Sequence, residues 1–355
     1  MDVVIIHDWL NGMRGGEKVL EELIELFPDA IIYTLFHEPG KVSATIESHR
    51  IVTSWLNRVP GIDQHYRNLL PLFPKAVESF DLSRFDLVIS SSHAVAKGVR
   101  ASRGMHICYC HTPMRYVWDA EEDYAFNPIR RLVMGAVRSR LQQWDCEAAS
   151  RVDYFIANSQ FVRERIGSYY GRDAAVIYPP VDTEFFTPHP AGVSREDFYL
   201  AAGALAPYKQ FQLIVKACKQ LGRRLVVAGE RGWLSDESLR HLYRTAKAMI
   251  VAAREDFGIM TVEAQACGCP VIAFAAGGSA EIVEDGVNGI LFAEQHPDDV
   301  VRALRRFELM SWPEEQVRSQ VETFSRDTFR TRIREFIEAP AGLEPKARLD
   351  ELQPA

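Results

Sequence analysis

The chain has 355 residues, 47% hydrophobic, 10% aromatic and 25% charged, which excludes a disordered, collagen-like or disulfide-framework protein. At about 150 residues per domain, this length predicts two domains, each able to bury a sizeable core. Lys+Arg 41 against Asp+Glu 48 gives a formal charge of −7, so no global positive field recruits nucleic acid, and none is expected as a partner.

The first residues, MDVVIIHDWL, carry Asp2 and Asp8 where a signal peptide would be basic, and read as a buried strand. No apolar run approaches the roughly 18 to 20 residues of a membrane span. The expected location is the cytoplasm, with peripheral contact to the inner face of the plasma membrane. Cys108, Cys110, Cys146, Cys218, Cys267 and Cys269 lack a zinc spacing and read as buried free thiols in a reducing compartment.

Short Val- and Ile-rich runs then recur in chain order. VVIIH (3–7), AIIYTLF (30–36), DLVISSS (86–92), MHICYCH (105–111), DYFIANS (153–159) and AAVIYP (174–179) form a first series. FYLAAG (198–203), RRLVVAG (223–229), AMIVAA (248–253), PVIAFAAG (270–277) and GILF (289–292) form a second. Continuous apolar runs suit strands buried on both faces, as in parallel sheets covered by helices. Amphipathic segments between them, such as GEKVLEELIELF, FQLIVKACKQLG and LRHLYRTAKAMI, read as those helices. The fold class is therefore α/β, with two doubly wound domains. The proline-rich stretch Tyr178 to Ser194 marks the seam. The expected boundaries are 1–180, 181–324, a helix over 325–340, and a disordered tail over 341–355.

In such sheets ligands bind beyond the carboxyl ends of the strands, where the strand order reverses. After the first strand, Gly15 and Gly16 open a helix whose free N–H groups suit a phosphate; a plain tight turn fits them equally well. His111 ends a strand and is a candidate polar contact or acid/base. Lys209 follows the strand FYLAAG and can neutralise phosphate charge. Glu255 and Glu263 stand eight positions apart, which on one continuous helix is about 12 Å. That exceeds the roughly 5 to 9.5 Å of a glycosidase acid pair and suits two parts of one long ligand. Gly258 and Ile259 offer backbone N–H groups between them. Neither glycine loop fits a dinucleotide fingerprint.

The pattern E-x₇-E, followed by EAQACGCPVIA and GGSAEIVEDGVNG, resembles the retaining glycosyltransferases of GT-B fold in the family-four, mannosyltransferase-like group. DWLNGMRGGEKVLEEL, CHTPMRYVWD, IANSQFVRERI and VIYPPVD are similar to the subgroup that adds mannose to bacterial polysaccharide precursors such as O-antigen. The resemblance implies two Rossmann-like domains facing a cleft, an acceptor-binding first and a nucleotide-sugar-binding second, with the terminal helix crossing back to the first. It implies GDP-mannose as donor, a lipid-linked or oligosaccharide acceptor, and no metal or other cofactor. By position, Gly15 and Gly16 would lie against the donor diphosphate, and His111 would contact the transferred sugar. Lys209 would clamp phosphate, Glu255 would hold the sugar with Gly258 and Ile259, and Glu263 would grip the ribose.

Two features depart from the family. Ala204 stands where its clamp carries arginine, with Arg14 and Arg254 as candidate replacements, and about one α/β unit is missing after Glu230. The segment NPIRRLVMGAVRSRLQQW sets Ile129, Leu132, Val133, Ala136 and Trp144 against four arginines, a pattern suited to an anionic membrane surface. The stretch HYRNLLPLFPKAVE (65–78) is a second apolar, basic candidate for the same surface. Competing readings are a GT-B epimerase or hydrolase of sugar nucleotides and a non-catalytic sugar-nucleotide-binding protein.

Overall fold

The computed structural model describes residues 1–119, 128–190, 195–204, 206–229 and 234–339, with side chains left undescribed at 128–134 and 136. The chain divides into two compact units: Met1–Ile177 with the described residues from Arg330 onward, and Tyr178–Phe329.

The first unit is built on a parallel seven-stranded sheet. Its strands are β1 (Val3–His7), β2 (Ile31–Thr34), β3 (Ile51–Thr53), β4 (Leu87–Ser92), β5 (Met105–Cys110), β6 (Tyr154–Ala157) and β7 (Ala175–Val176), in the order β3-β2-β1-β4-β5-β6-β7. The order reverses between β1 and β4, which pair in register from Val3 with Leu87 to His7 with Ser91. Every residue of β4 is buried, as burial on both faces of the sheet requires. One face, carrying Val4, Ile6, Val88, Cys108 and Phe155, packs on Trp9, Phe36, Tyr66 and Phe73 toward one edge of the sheet and on Val162 and Ile166 toward the other. The stretch 65–78 supplies Tyr66, Leu70, Phe73, Ala76 and Val77 to that core, while Leu72 is exposed. Its apolar character is thus largely used in packing and leaves little for a lipid surface.

The sequence pattern missed β3, whose three half-buried residues are too short to register as an apolar run. The helix Arg326–Glu338 joins this unit through Arg330, which binds Glu22 at 2.5 Å and Glu25 at 2.7 Å, and through Phe336 against Tyr154. The tail over 341–355, and the side chains of Ile129, Leu132, Val133 and Ala136, lie outside the described residues.

The second unit has a parallel five-stranded sheet, β12-β11-β10-β8-β9. Here β8 is Tyr199–Ala202, β9 Leu225–Ala228, β10 Ala248–Val251, β11 Val271–Phe274 and β12 Gly289–Phe292. Its order reverses between β8 and β10. One sequence expectation fails here: LRHLYRTAKAMI is not one helix. The helix Asp236–Thr245 stops at Ala246, which is extended, and Ala248 to Val251 enter the sheet between β8 and β11. The central sheet position buries Ala-Met-Ile-Val on both faces, which outweighs continuing the helical period. Cys108, Cys110, Cys218, Cys267 and Cys269 are buried free thiols as expected, whereas Cys146 is half-buried.

Candidate functional site

In the first unit the chemistry gathers where β1, β4 and β5 end, at the strand-order reversal. His7 closes β1, Ser91 lies near the end of β4, and His111 follows β5. Ser91 Oγ stands 3.1 Å from His7 Nδ1 and 2.8 Å from His111 Nε2. The helix Gly15–Leu26 begins beside them: a Cβ on Gly16 would meet His7 Cε1 at 3.4 Å and His111 Nε2 at 3.7 Å. Sequence-predicted Gly16 and His111 are thus neighbours. Glu17, in the first turn of that helix, accepts the Arg14 backbone N–H at 2.9 Å and brings Oε1 to 3.6 Å from His7 Nε2. Burial opposes the Glu17 charge, but His7 and Arg14 more than offset it and hold the carboxyl below its usual range.

A third histidine is fixed by Asp8, just past β1. The Asp8 carboxylate is fully buried and accepts four backbone N–H groups, from His93, Ala94, Val95 and Ala96, at 2.7 to 3.0 Å. His93 Nδ1 lies 3.0 Å from the same group. Burial alone would raise the Asp8 pKa, but His93 and these N–H groups hold it far below the carboxylate range. His93 is driven the other way: burial penalises its charge, and Asp8 raises its pKa despite this. His111 behaves oppositely. Burial first, then the charge of neighbouring His93, pushes its pKa down to about 3, so it is a neutral imidazole near pH 7.

The backbone around His111 is held from several sides. His111 N–H donates to Ser92 O at 2.8 Å, and Asn158 Nδ2 donates to His111 O at 2.9 Å. Buried Arg165 donates to Thr112 at 2.8 Å and pairs with Asp119. Below the 93–98 turn, Lys97 and Asp145 form a fully buried ion pair, and Asp145 also accepts from Trp118 Nε1 at 2.8 Å and Tyr170 OH at 2.7 Å. Asp145 belongs to the helix Pro128–Ser150, so this pair ties that helix to the turn that cradles Asp8. His7, Asp8, Glu17, Ser91 and His93 escaped the sequence reading. The available signal was polar residues closing apolar strands, in VVIIHD and LVISSSH.

The second unit repeats the placement at its own order reversal. Lys209, past β8, and Glu255, past β10, form an ion pair at 2.6 Å, each side chain 17% exposed. Gly203, at the end of β8, lies under this lysine, since a Cβ there would meet Lys209 Nζ at 3.7 Å. Phosphate-clamp and sugar-holding candidates are therefore each other's partners. Ala204 is exposed and so is Arg254, while Arg14 donates to Asn11 at 3.2 Å.

Glu255 and Glu263 do not share the continuous helix that their spacing predicts. Only Glu263 lies on the helix, which runs Ile259–Ala266; Gly258 caps it with φ +99° and Glu255 lies in the loop before it. The break arises because the loop is pinned to the next one: Gly278 N–H donates to Glu255 O at 2.8 Å, and a Cβ on Gly277 would fall 2.4 Å from Glu255 O. Only glycine permits that approach at φ +76°. Glu263 is buried and accepts from Tyr243 OH at 3.2 Å. Among the described residues, no cluster of three or more His, Cys, Asp or Glu is placed to hold a metal, and no helix is long and apolar enough to cross a membrane.

Comparison with known proteins gives matches in both units. A family model described as Glycosyltransferase Family 4 matches residues 13–185, and one described as Glycosyl transferases group 1 matches residues 231–323. The D-inositol 3-phosphate glycosyltransferase of Actinosynnema mirum is 32% identical over 211 residues, covering 46% of this chain and 51% of that protein. Its namesake from Frankia alni is 34% identical over 180 residues, covering 37% and 44%. The chain spans about half the length of the curated relatives it matches. Among solved structures, sucrose-phosphate synthase from Thermosynechococcus elongatus matches at TM-score 0.73 and 15% identity over 95% of this chain and 98% of that one. Anabaena Alr3699/HepE in complex with UDP matches at TM-score 0.67 and 17% identity over 96% and 100%. At such identities the likeness speaks for fold alone. With two parallel Rossmann-like sheets, matched family segments in each unit and these structural likenesses, the chain has the GT-B fold of the group 1 and family 4 glycosyltransferases.

Proposed function

We propose that the protein transfers a hexose from a nucleotide-sugar donor with retention at the anomeric carbon. The donor is GDP-mannose, and the acceptor is a lipid-linked or oligosaccharide precursor of a bacterial surface glycan. The observation that carries this reading is the Lys209–Glu255 pair at the strand-order reversal of the second sheet. A lysine and a carboxylate there suit, respectively, a leaving diphosphate and the hydroxyls of its sugar. Gly258 and Ile259 add backbone N–H groups, Glu263 serves the ribose side, and Gly15 and Gly16 the diphosphate.

In the reaction the bond from the anomeric carbon to the diphosphate oxygen breaks and a bond to the acceptor oxygen forms on the same face. The departing phosphate oxygen takes the acceptor's proton. Lys209 and oriented N–H groups stabilise the charge that develops on the diphosphate, while His111 and Glu255 orient the sugar. The acceptor is met at the cytoplasmic membrane face, with the basic segment 127–144 as the contact.

A panel of sugar nucleotides offered with lipid-linked and inositol phosphate acceptors, read by mass spectrometry, tests the reading; the curated relatives' name puts inositol phosphate on the panel. Transfer from GDP-mannose is expected, with Glu255→Ala losing roughly a hundredfold, the scale of one preorganised electrostatic group. Donor turnover without acceptor would mark an epimerase or hydrolase instead, and donor binding without turnover a binding protein.

A further inference from the structure

The groups around Ser91 do more than touch one another. A serine hydroxyl carries one hydrogen, so between two imidazole nitrogens it donates to one and accepts from the other. Ser91 lies 3.1 Å from His7 Nδ1 and 2.8 Å from His111 Nε2, so the tautomers of the two rings are coupled. Either both rings carry their proton on Nε2, or both carry it on Nδ1.

Glu17 breaks this symmetry. Its Oε1 sits 3.6 Å from His7 Nε2, too far for a hydrogen bond but close enough for its charge to act. The His7 side chain is wholly buried, and Nε2 has no other partner. A carboxylate there attracts an N–H and repels a lone pair. Even a fraction of the interaction between unit charges at this separation biases the tautomer by more than about tenfold. His7 therefore carries its proton on Nε2, accepts from Ser91 at Nδ1, and leaves Ser91 Oγ to accept from His111 Nε2. No group among the described residues hydrogen-bonds His111 Nδ1.

We propose that Glu17, His7 and Ser91 form a relay fixing the tautomer of His111, so that Nδ1 presents a lone pair to a hydroxyl hydrogen of the transferred sugar. The sugar contact rests on the proposed function; the tautomer does not. His7, Ser91 and Glu17 are positioning residues that act through His111. The low pKa of His111 supports the relay, since a neutral ring keeps that lone pair available.

The test is nitrogen NMR of the full, ligand-free chain with ¹⁵N-labelled histidine near neutral pH, His7 and His111 being assigned by loss of signal in His7→Gln and His111→Gln. The expected signature is a protonated Nε2 and an unprotonated Nδ1 on both rings. Glu17→Gln keeps an oxygen for the Arg14 N–H but turns an amide toward His7, and should move at least half of the His111 protons to Nδ1. The relay is overturned by a wild-type His111 protonated on Nδ1, by a doubly protonated His7, or by an unchanged pattern in Glu17→Gln. A kinetic arm separates the two claims. Glu17→Gln should lower kcat/KM for transfer about tenfold, the scale of one lost sugar hydrogen bond. The expected tautomer with no transfer from any donor leaves the relay standing and removes the sugar-transfer reading. A switched tautomer with undiminished transfer overturns the hydroxyl contact.

Discussion

Protonating His111 is harder in the folded protein than in the unfolded chain, and this has a thermodynamic consequence. An unfolded histidine binds its proton near pH 6.5, while folded His111 does so only near 3. Between these values the unfolded state holds the extra proton, so stability falls as pH falls. One extra proton on the unfolded chain sets a slope of about 1.36 kcal/mol per pH unit within this window, and partial exposure narrows the window without changing the slope. Urea midpoints of wild type and His111→Gln between about pH 6 and 4 check it: the wild type should lose stability more steeply, and parallel curves would refute the assignment. His93 contributes with the opposite sign. Its raised pKa stabilises fully below about 6.5 and is lost as pH climbs through its folded value, so it leaves the acidic window flat. At this scale the sequence was only partly readable. His111, Lys209 and Glu255 each stood at the end of an apolar run, but Lys209 and Glu255 are 46 positions apart and meet only because β8 and β10 are neighbours. Asp8 and His93 pair across 85 positions for a similar reason, since β1 adjoins β4. No local pattern announces either pairing.

Elements are held in register by buried polar groups as much as by apolar packing. The turn 93–98 receives Asp8 from one side and Asp145 from the other through Lys97, so two carboxylates fix the path of one short loop. Asp145→Ala strands a fully buried ammonium and should cost about 3–5 kcal/mol, measured by urea unfolding. Adding Lys97→Met should recover about half of that, because the remaining penalty is the unsatisfied Trp118 and Tyr170 donors rather than a naked charge. A double variant no better than the single one would show that the pair itself carries little. Strands were legible because parallel sheets bury both faces, which writes continuous apolar runs into the chain. Helix ends were less so: LRHLYRTAKAMI keeps a helical period through a strand that the sheet claims, and Glu255 stays out of the helix because its loop is pinned at Gly277 and Gly278.

At the scale of the whole molecule, fold class and the number of domains followed from run length and spacing, but strand order did not. It is set by which strands the crossovers bring side by side, and it decides where each site lies. The second unit is one continuous stretch, Tyr178–Phe329, and its ends meet: Val181 pairs with Ser325, with Val181 N–H donating to Phe324 O at 2.8 Å. A fragment of residues 178–329 should therefore unfold cooperatively on its own, as followed by circular dichroism in urea. A broad, non-cooperative melt would count against this.

The arginine that binds Glu22 and Glu25 comes 305 positions after the second of them. On the ribosome, the helix Gly15–Leu26 emerges early, yet its ionic partner is synthesised only after the entire second unit. At about 5–20 residues per second, those two glutamates wait on the order of 15 to 60 seconds for Arg330. The last piece of the first unit is thus a clasp made after everything it closes over, and a ribosome stalled before it releases a first unit whose glutamates never receive that arginine.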